Sequence, residues 1–456
     1  MRKYIDFLDI KATVKLSIPL IVGYIAFNLM GMTDTFFVKS VGDGAIGSLG
    51  LANATIFLII SFAFPSYGML SSFVAKAKEE GNNSKIKSYL VSGGYVSLVT
   101  FAVLGLLCFL ITYHFEWLGQ PEQTNIYARE YMYIIVPSLL PMFLFYTFKS
   151  IVDGMDHTKI GMYISLIGVI LNIFLDYALV EGHWGFPALG IAGTAIATSL
   201  IRCFMLIAIV VYIFKNKSFK PILAENIQKS VVFKSFKELL INGIPSGFQS
   251  FSEMALFEVG FIAMGWISIA ASDAHQIAMQ IISMTFIFTL GLASATSIRI
   301  GEALGLKNLE MLKKSIFSGL MLSSCIMFIC SFLILLLKAN IIAIFTATPE
   351  TIAIASSILI FASFFQLADG LQVVAIFVLR ALKDIQITKM ITATYWFLGI
   401  PLLLILGFFF NMHHLGIWLS FLITLALAAL LLCYRIYKTV YVIDNLDDIL
   451  LKWEEA

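Results

Sequence analysis

Apolar residues dominate this chain in long runs that short polar segments separate. A run of about 20 residues is long enough to cross the roughly 30 Å hydrocarbon core of a bilayer as an α-helix. Six such runs fill each half of the chain, and they predict an all-α polytopic membrane protein with twelve transmembrane helices. The predicted spans are 16–38, 45–70, 89–112, 131–152, 160–180, 189–214, 240–268, 275–298, 315–337, 354–379, 390–410 and 414–436.

The second half of the chain repeats the first. Ser-Ile-Pro at 17–19 matches Gly-Ile-Pro at 243–245, and Gly81 matches Gly305. Several matches in the same order, at offsets of 224 to 228 residues, predict two six-helix lobes. Because six is even, both lobes have the same orientation, related by a pseudo-two-fold axis along the membrane normal. The other matches pair 152–156 with 379–384 and 189–191 with 415–417.

This repeat gives the expected domain organisation. Residues 1–214 are expected to form an N-lobe and residues 215–237 a basic cytoplasmic linker. Residues 238–456 then form a C-lobe that ends in a cytoplasmic tail. A substrate site between parallel repeats, near the middle of the membrane, is the usual arrangement in transporters built this way.

Composition and charge support this class and orient the chain. Hydrophobic residues make up 60% and charged residues 13%, whereas roughly 25% are charged in soluble domains. A net charge of +2 gives no reason to expect nucleic-acid binding. All but four of the 30 lysines and arginines fall on the side of the N-terminus, so both termini are predicted to be cytoplasmic, with the protein in the inner membrane. The four exceptions are Lys39, Arg129 and Lys338 on the opposite side and Arg202 within a span.

Five carboxylates lie inside predicted spans, at Asp34, Asp176, Glu253, Glu258 and Asp369. An ionised acid at the bilayer centre costs roughly 2.5 to 3.5 kcal/mol on insertion scales, so each such acid is a functional hypothesis. A buried carboxylate can exchange a proton against a metal ion or a cationic substrate, which is the chemistry of ion coupling. Glu253 and Asp369 are also candidate ligands for Na⁺. Glu258 lies near the outer interface, where a solvated helix end is an equal alternative.

Two further features accompany these acids. Asn172 and Asp176 are spaced i, i+4 and therefore share a helix face that could meet Asp34. A structural polar clamp between helices would show the same pattern. Pro19 and Pro245 occupy equivalent positions in the two lobes, where each removes a backbone donor and allows a bend. The bend could respond to protonation of Asp34, although a static kink is the alternative.

Several function classes lack support in the sequence. There is no phosphate-binding loop for ATP, and no zinc-protease motif or nucleophile elbow. An enzyme is therefore not expected, nor a cofactor other than a coupling ion. Two other functions remain open, a flippase for lipid-linked precursors and an ion channel. The single arginine inside a span does not give the basic cavity that a pyrophosphate headgroup would need.

The chain resembles the multidrug and toxic compound extrusion family over essentially its whole length. The resemblance rests on TDTFFV around Asp34, on the Ile-Pro that precedes Glu253, and on motifs at 366–372, 379–384 and 185–198. It implies an antiporter, acting as a monomer among membrane lipids, that exports organic cations and drugs in exchange for Na⁺ or H⁺. Glu253 and Asp369 are similar to the NorM-like branch. Pro19, Asn172 and Asp176 look more like the DinF-like branch, so the working cation site is expected in either lobe or in both.

Overall fold

A computed structural model describes residues 6–41, 45–118, 122–345, 349–384, 386–442, 447, 449 and 450. The described residues form helices and connecting turns, without a strand. Short 3₁₀ or π-helical turns join or extend several of the helices. The α-helices are α1 Phe7–Val38, α2 Ala45–Ile60, α3 Phe64–Glu79, α4 Asn83–Thr100, α5 Leu106–Tyr113, α6 Glu122–Ile135, α7 Leu139–Gly154, α8 Thr158–Leu179, α9 Ile191–Lys215, α10 Lys220–Ala224, α11 Lys229–Ile267, α12 Ile269–Gly305, α13 Leu309–Phe345, α14 Pro349–Ala381, α15 Gln386–Thr394, α16 Ile400–Leu404 and α17 His413–Ile436.

The all-helical membrane architecture predicted from the sequence is confirmed. Within the described residues, eleven helical segments are long and apolar enough to cross a membrane. A twelfth span is the pair α2 and α3, which bends by 48° between Ile60 and Phe64. The span predicted over 45–70 is therefore divided into two helices, and the second continues to Glu79. Pro65 begins the second segment, where its missing N–H interrupts no helical hydrogen bond.

Contacts within the chain define two compact units. Unit 1 comprises residues 1–21 and 244–456, and unit 2 comprises residues 22–243. Two long helices therefore contribute to both units, because α1 continues past residue 21 and α11 begins before residue 244. Both divisions fall beside a proline, since Pro19 and Pro245 lie inside these helices.

The segment expected to link the two lobes belongs to unit 2. The segment 215–237 is largely helical, because it holds α10 and the first turns of α11. Those turns pack inside unit 2, where Ser235 and Ser88 share a hydrogen bond of 2.8 Å. Glu238 also accepts a bond of 3.1 Å from Lys85. The chain beyond residue 442 lies mostly outside the described residues.

Each unit has its own apolar and aromatic core. In unit 2, Tyr146 contacts the rings of Tyr67 and Phe64, with centroids 6.2 and 5.3 Å apart. In unit 1, Trp418 and Phe421 are fully buried, and their ring centroids are 5.7 Å apart. The residues facing outward are mainly large and apolar, as expected for helices that contact lipid.

Helix-ending turns recur in both halves of the chain. Gly81 and Lys307 have positive φ angles of 67° and 51°, and Asp156 and Lys383 have values of 64° and 55°. In each turn the next residue donates its N–H to a carbonyl five residues back, at 2.9 to 3.0 Å. Both pairs keep the predicted repeat offset. The counterpart of Gly81 is therefore Lys307, and the sequence-based match with Gly305 is wrong.

Gly193 allows α9 to contact the end of α8, and its replacement by alanine is expected to destabilise unit 2. An added Cβ would lie 2.5 Å from the carbonyl oxygen of Leu179, a backbone atom that cannot rotate away. We expect Gly193→Ala to cost about 1–3 kcal/mol, as overpacking does elsewhere. Thermal unfolding in detergent measures this loss.

Gly94→Ala is the matched control, because a Cβ at Gly94 meets no atom within 4 Å. Alanine in a helix interior should stabilise it by about 0.5–1 kcal/mol relative to glycine. Equal melting temperatures for the two variants would contradict the close approach at Gly193.

Candidate functional site

Asp34 is the centre of a buried polar cluster in unit 2. Its side chain is only 3% exposed, although α1 is apolar around it. Asn172 of α8 donates its amide N–H to Asp34 Oδ1 at 3.1 Å. Thr198 of α9 donates its hydroxyl to Asp34 Oδ2 at 2.8 Å. Three helices thus meet at this carboxylate, as the sequence predicted for Asn172.

Asp176 faces the same cluster from α8. It is fully buried, and neither of its carboxylate oxygens has a hydrogen-bond partner among the described residues. Asp176 and Asp34 interact electrostatically, so two carboxylates share one apolar environment. Two adjacent carboxylates in such surroundings can both remain ionised only beside a cation or a fixed positive charge, and otherwise one of them binds a proton. The pair is therefore suited to bind and release a proton or a small cation.

A second acidic cluster lies in unit 1, between α11 and α14. Gln372 donates its amide N–H to Glu253 Oε1 at 2.8 Å. Asp369, three residues before Gln372, is 5% exposed and interacts electrostatically with Glu253. Glu253 and Asp369 thus form the pair that the sequence analysis considered for Na⁺. No group of three or more His, Cys, Asp and Glu that could hold a metal ion occurs among the described residues.

Each cluster also contains one arginine. In unit 2, Arg202 Nη1 donates to the hydroxyl of Ser138 at 2.8 Å, and its guanidinium interacts electrostatically with Asp34. In unit 1, Arg380 Nη2 donates to Gln249 Oε1 at 2.9 Å, and its guanidinium interacts with Glu253.

Glu258 is exposed on α11 and belongs to neither cluster. Pro19 and Pro245 lie several turns before Asp34 and Glu253 on the same helices. The helix-bending role of these prolines stays a prediction.

Several residues that surround the acids were not assigned to the site from the sequence. Thr198 and Arg202 are spaced i, i+4, which places both on one face of α9 and is a signal that could have been read. Gln372 follows Asp369 by three residues, which likewise places both on one face of α14. Tyr395 is fully buried and interacts electrostatically with Glu253 and Asp369. No spacing in the sequence indicated that it lies near these acids.

Comparisons with known proteins cover both halves of the chain. The MatE family model matches residues 19–178 and again residues 245–405, once in each half of the chain. Each match begins at one of the two equivalent prolines.

Curated relatives align along nearly the whole chain. The probable multidrug resistance protein NorM of Agrobacterium fabrum is 30% identical over 447 residues, covering 94% of each chain. A protein of the same name from Mannheimia succiniciproducens is 28% identical over 437 residues, with 94% of each chain covered. Among solved structures, the crystal structure of the eukaryotic MATE transporter AtDTX14 superposes with a TM-score of 0.88. It covers 98% of each chain at 18% identity, a level that shows a common fold.

Proposed function

Because this chain belongs to the MatE family of transporters, we propose that it exports organic cations and other drugs in exchange for Na⁺ or H⁺ by alternating access. Family membership makes it a transporter rather than an enzyme. The names of its relatives, which are multidrug resistance proteins, support drugs as the substrate class. We further propose an inner-membrane monomer with both termini in the cytoplasm.

The Asp34 cluster carries the proposal. Asp34 is held by Asn172 and Thr198, while Asp176 beside it has two buried oxygens that accept no hydrogen bond from the described residues. Such a pair gains free energy when a proton or monovalent cation arrives, because the added charge relieves repulsion between the carboxylates. Binding there can therefore be coupled to a change of conformation.

Coupling requires that each ligand bind one conformation more tightly than the other. The helix that carries Asp34 belongs to unit 2 at Asp34 and to unit 1 before residue 22. A bend at Pro19 would change how these two parts of α1 are joined. We propose that ion binding at Asp34 biases this bend, and that Pro245 serves α11 in the same way.

The available driving force is adequate. Moving one positive charge down a potential of 100 mV yields about 2.3 kcal/mol. Because about 1.4 kcal/mol corresponds to a tenfold ratio, one charge per cycle could sustain a gradient of roughly 50-fold for a neutral drug. Exchange of one such ion for a monovalent organic cation moves no net charge, so the concentration gradient of the ion drives that exchange.

Purified protein in liposomes loaded with a fluorescent organic cation tests the proposal. A pH gradient and a Na⁺ gradient are imposed in separate experiments, and dye movement driven by either establishes antiport. Loss of transport in Asp176→Asn alone would assign coupling to unit 2. Loss in Glu253→Gln or Asp369→Asn alone would assign it to unit 1.

The absence of dye movement with both gradients, from protein that shows a cooperative thermal transition, would contradict the proposal. Transport of a lipid-linked precursor would then become the leading alternative. Conduction of ions without any counterflow of dye would instead favour a channel.

A further inference from the structure

Arg202 is a charged residue of unit 2 that has no role in the ion exchange proposed for Asp34 and Asp176. It lies one turn after Thr198 on α9, on the face that reaches Asp34. Its Nη1 donates to Ser138 Oγ at 2.8 Å, and that hydroxyl donates to the carbonyl of Ile135 at 2.6 Å. The guanidinium is therefore anchored at the turn between α6 and α7.

Few titratable groups surround the pair of aspartates. Among the described residues, Asp34 interacts electrostatically with Asp176 of α8, with Arg202 of α9 and with Tyr131 of α6. Tyr146 of α7 interacts with Arg202. Both tyrosines are neutral near pH 7, because a phenol loses its proton only around pH 10. The charge of the cluster is therefore set by two carboxylates and one guanidinium.

The net charge of the cluster determines how many positive charges it can bind. With both carboxylates ionised, the cluster has one net negative charge. One proton, or one monovalent cation, makes it neutral, and neutrality is favoured where the dielectric constant is low. Without Arg202, the same two carboxylates would need two positive charges to reach neutrality.

We infer that Arg202 is a positioning residue that acts as a fixed internal cation, so that the Asp34 and Asp176 pair takes up a single monovalent charge in each cycle. The inference rests on the proposed coupling role of this pair. Loading by a proton forms one O–H bond on a carboxylate oxygen, with the proton supplied by water outside the membrane. Unloading returns that proton to water on the other side.

The second cluster also combines two acids with one arginine, although it is not the symmetric copy of the first. Glu253 and Asp369 share unit 1 with Arg380, which comes from α14 rather than from an equivalent of α9. Arg202 and Arg380 therefore reach their acid pairs from different elements. In both units, one guanidinium lies near two acids. This recurrence indicates that the arginine is needed for its charge and is not there only to fill space.

Infrared titration of the protein in lipid membranes, without drug, tests the inference. The absorption of protonated carboxyl groups is followed with pH, and Asp34→Asn and Asp176→Asn assign the bands. In unmodified protein we expect one carboxyl of the pair to titrate. In Arg202→Gln we expect both to titrate, with a midpoint about 1 to 3 pH units higher, the usual effect of losing a nearby positive charge.

Arg202→Lys keeps the charge and should restore the unmodified titration, which a purely steric role of the guanidinium would not predict. Arg129→Gln is the matched control, since this arginine of unit 2 pairs with Glu116 at 2.9 Å near the surface. It should leave the bands unchanged.

Arg202→Met is a second neutral variant, which provides the test if Arg202→Gln does not fold. Ser138→Ala keeps the arginine without its anchor and should produce a smaller shift of the same sign. The inference is overturned if folded Arg202→Gln and Arg202→Met titrate like unmodified protein. Because the titration uses no drug, its result can be interpreted even if the protein does not transport drugs.

Discussion

Replacing Asp34 with asparagine is expected to reduce gradient-driven dye transport to the level of protein-free liposomes. Asparagine has nearly the same shape, but it cannot bind a proton and has no charge to attract a cation. Its amide would also point N–H donors at the Asn172 amide or the Thr198 hydroxyl, which both donate to Asp34. The ion-loaded and ion-free states would then be indistinguishable, and coupling would be lost.

The fold should survive this change, because a neutral amide costs less to bury than an ionised carboxylate. The lost hydrogen bond offsets part of this gain, so the melting temperature of Asp34→Asn in detergent should lie close to that of unmodified protein. Glu258→Gln is the matched control, since Glu258 is an exposed acid of α11 outside both clusters. It should retain transport. Full gradient-driven transport by Asp34→Asn would remove this carboxylate from the mechanism.

Asp9→Ala is expected to cause the largest loss of stability. Asp9 is 7% exposed and pairs with Arg299, 6% exposed, through a bond of 2.6 Å between Oδ1 and Nη2. Ser318 also donates its hydroxyl to Asp9 Oδ2 at 2.5 Å. Removing the carboxylate leaves a buried guanidinium uncompensated, at a cost of about 3–5 kcal/mol. Thermal unfolding in detergent measures the loss.

A double replacement distinguishes the cost of losing the ion pair from the cost of leaving Arg299 buried without a partner carboxylate. Asp9→Leu with Arg299→Met removes both charges, and we expect it to recover most of the stability, since apolar replacements of buried ion pairs are often neutral. Asp6→Ala is the comparison variant, because Asp6 forms only a partly exposed pair with Lys314 at 3.2 Å and caps α1 by accepting the N–H of Leu8 at 3.0 Å. It should cost only about 1 kcal/mol, the usual effect of a lost helix cap. A double variant no more stable than Asp9→Ala would show that the cost does not come from the unpaired arginine.

Much of the fold follows from the sequence because membrane helices are set by length and hydropathy alone. The exact place of the break, after Ile60, could not be located from the sequence, since nothing apolar is interrupted there and Pro65 is equally compatible with a mild kink. The division of α1 and α11 between two units was also missed. It depends on tertiary contacts such as Asp9 with Arg299, which are 290 residues apart.

The acids of the candidate site could be predicted because a carboxylate is conspicuous in an apolar helix. Their neighbours could not be predicted as easily. Thr198 and Gln372 are ordinary in membrane helices, and their role depends on which helix faces which. Arg202 was visible as a charge within a span, but its partner was not, because lipid-facing and protein-facing positions are equally apolar.

The sharing of α1 between the two units has a consequence for synthesis of the chain. Asp9 is made among the first residues, yet its partner Arg299 follows 290 residues later. At about 5–20 residues per second, a ribosome needs roughly 15 to 60 s to reach that arginine. During this interval the first helix has been inserted while its opening turns lack their native neighbours. The first turns of α1 can therefore reach their native contacts only after helices α12 and α13 have been made.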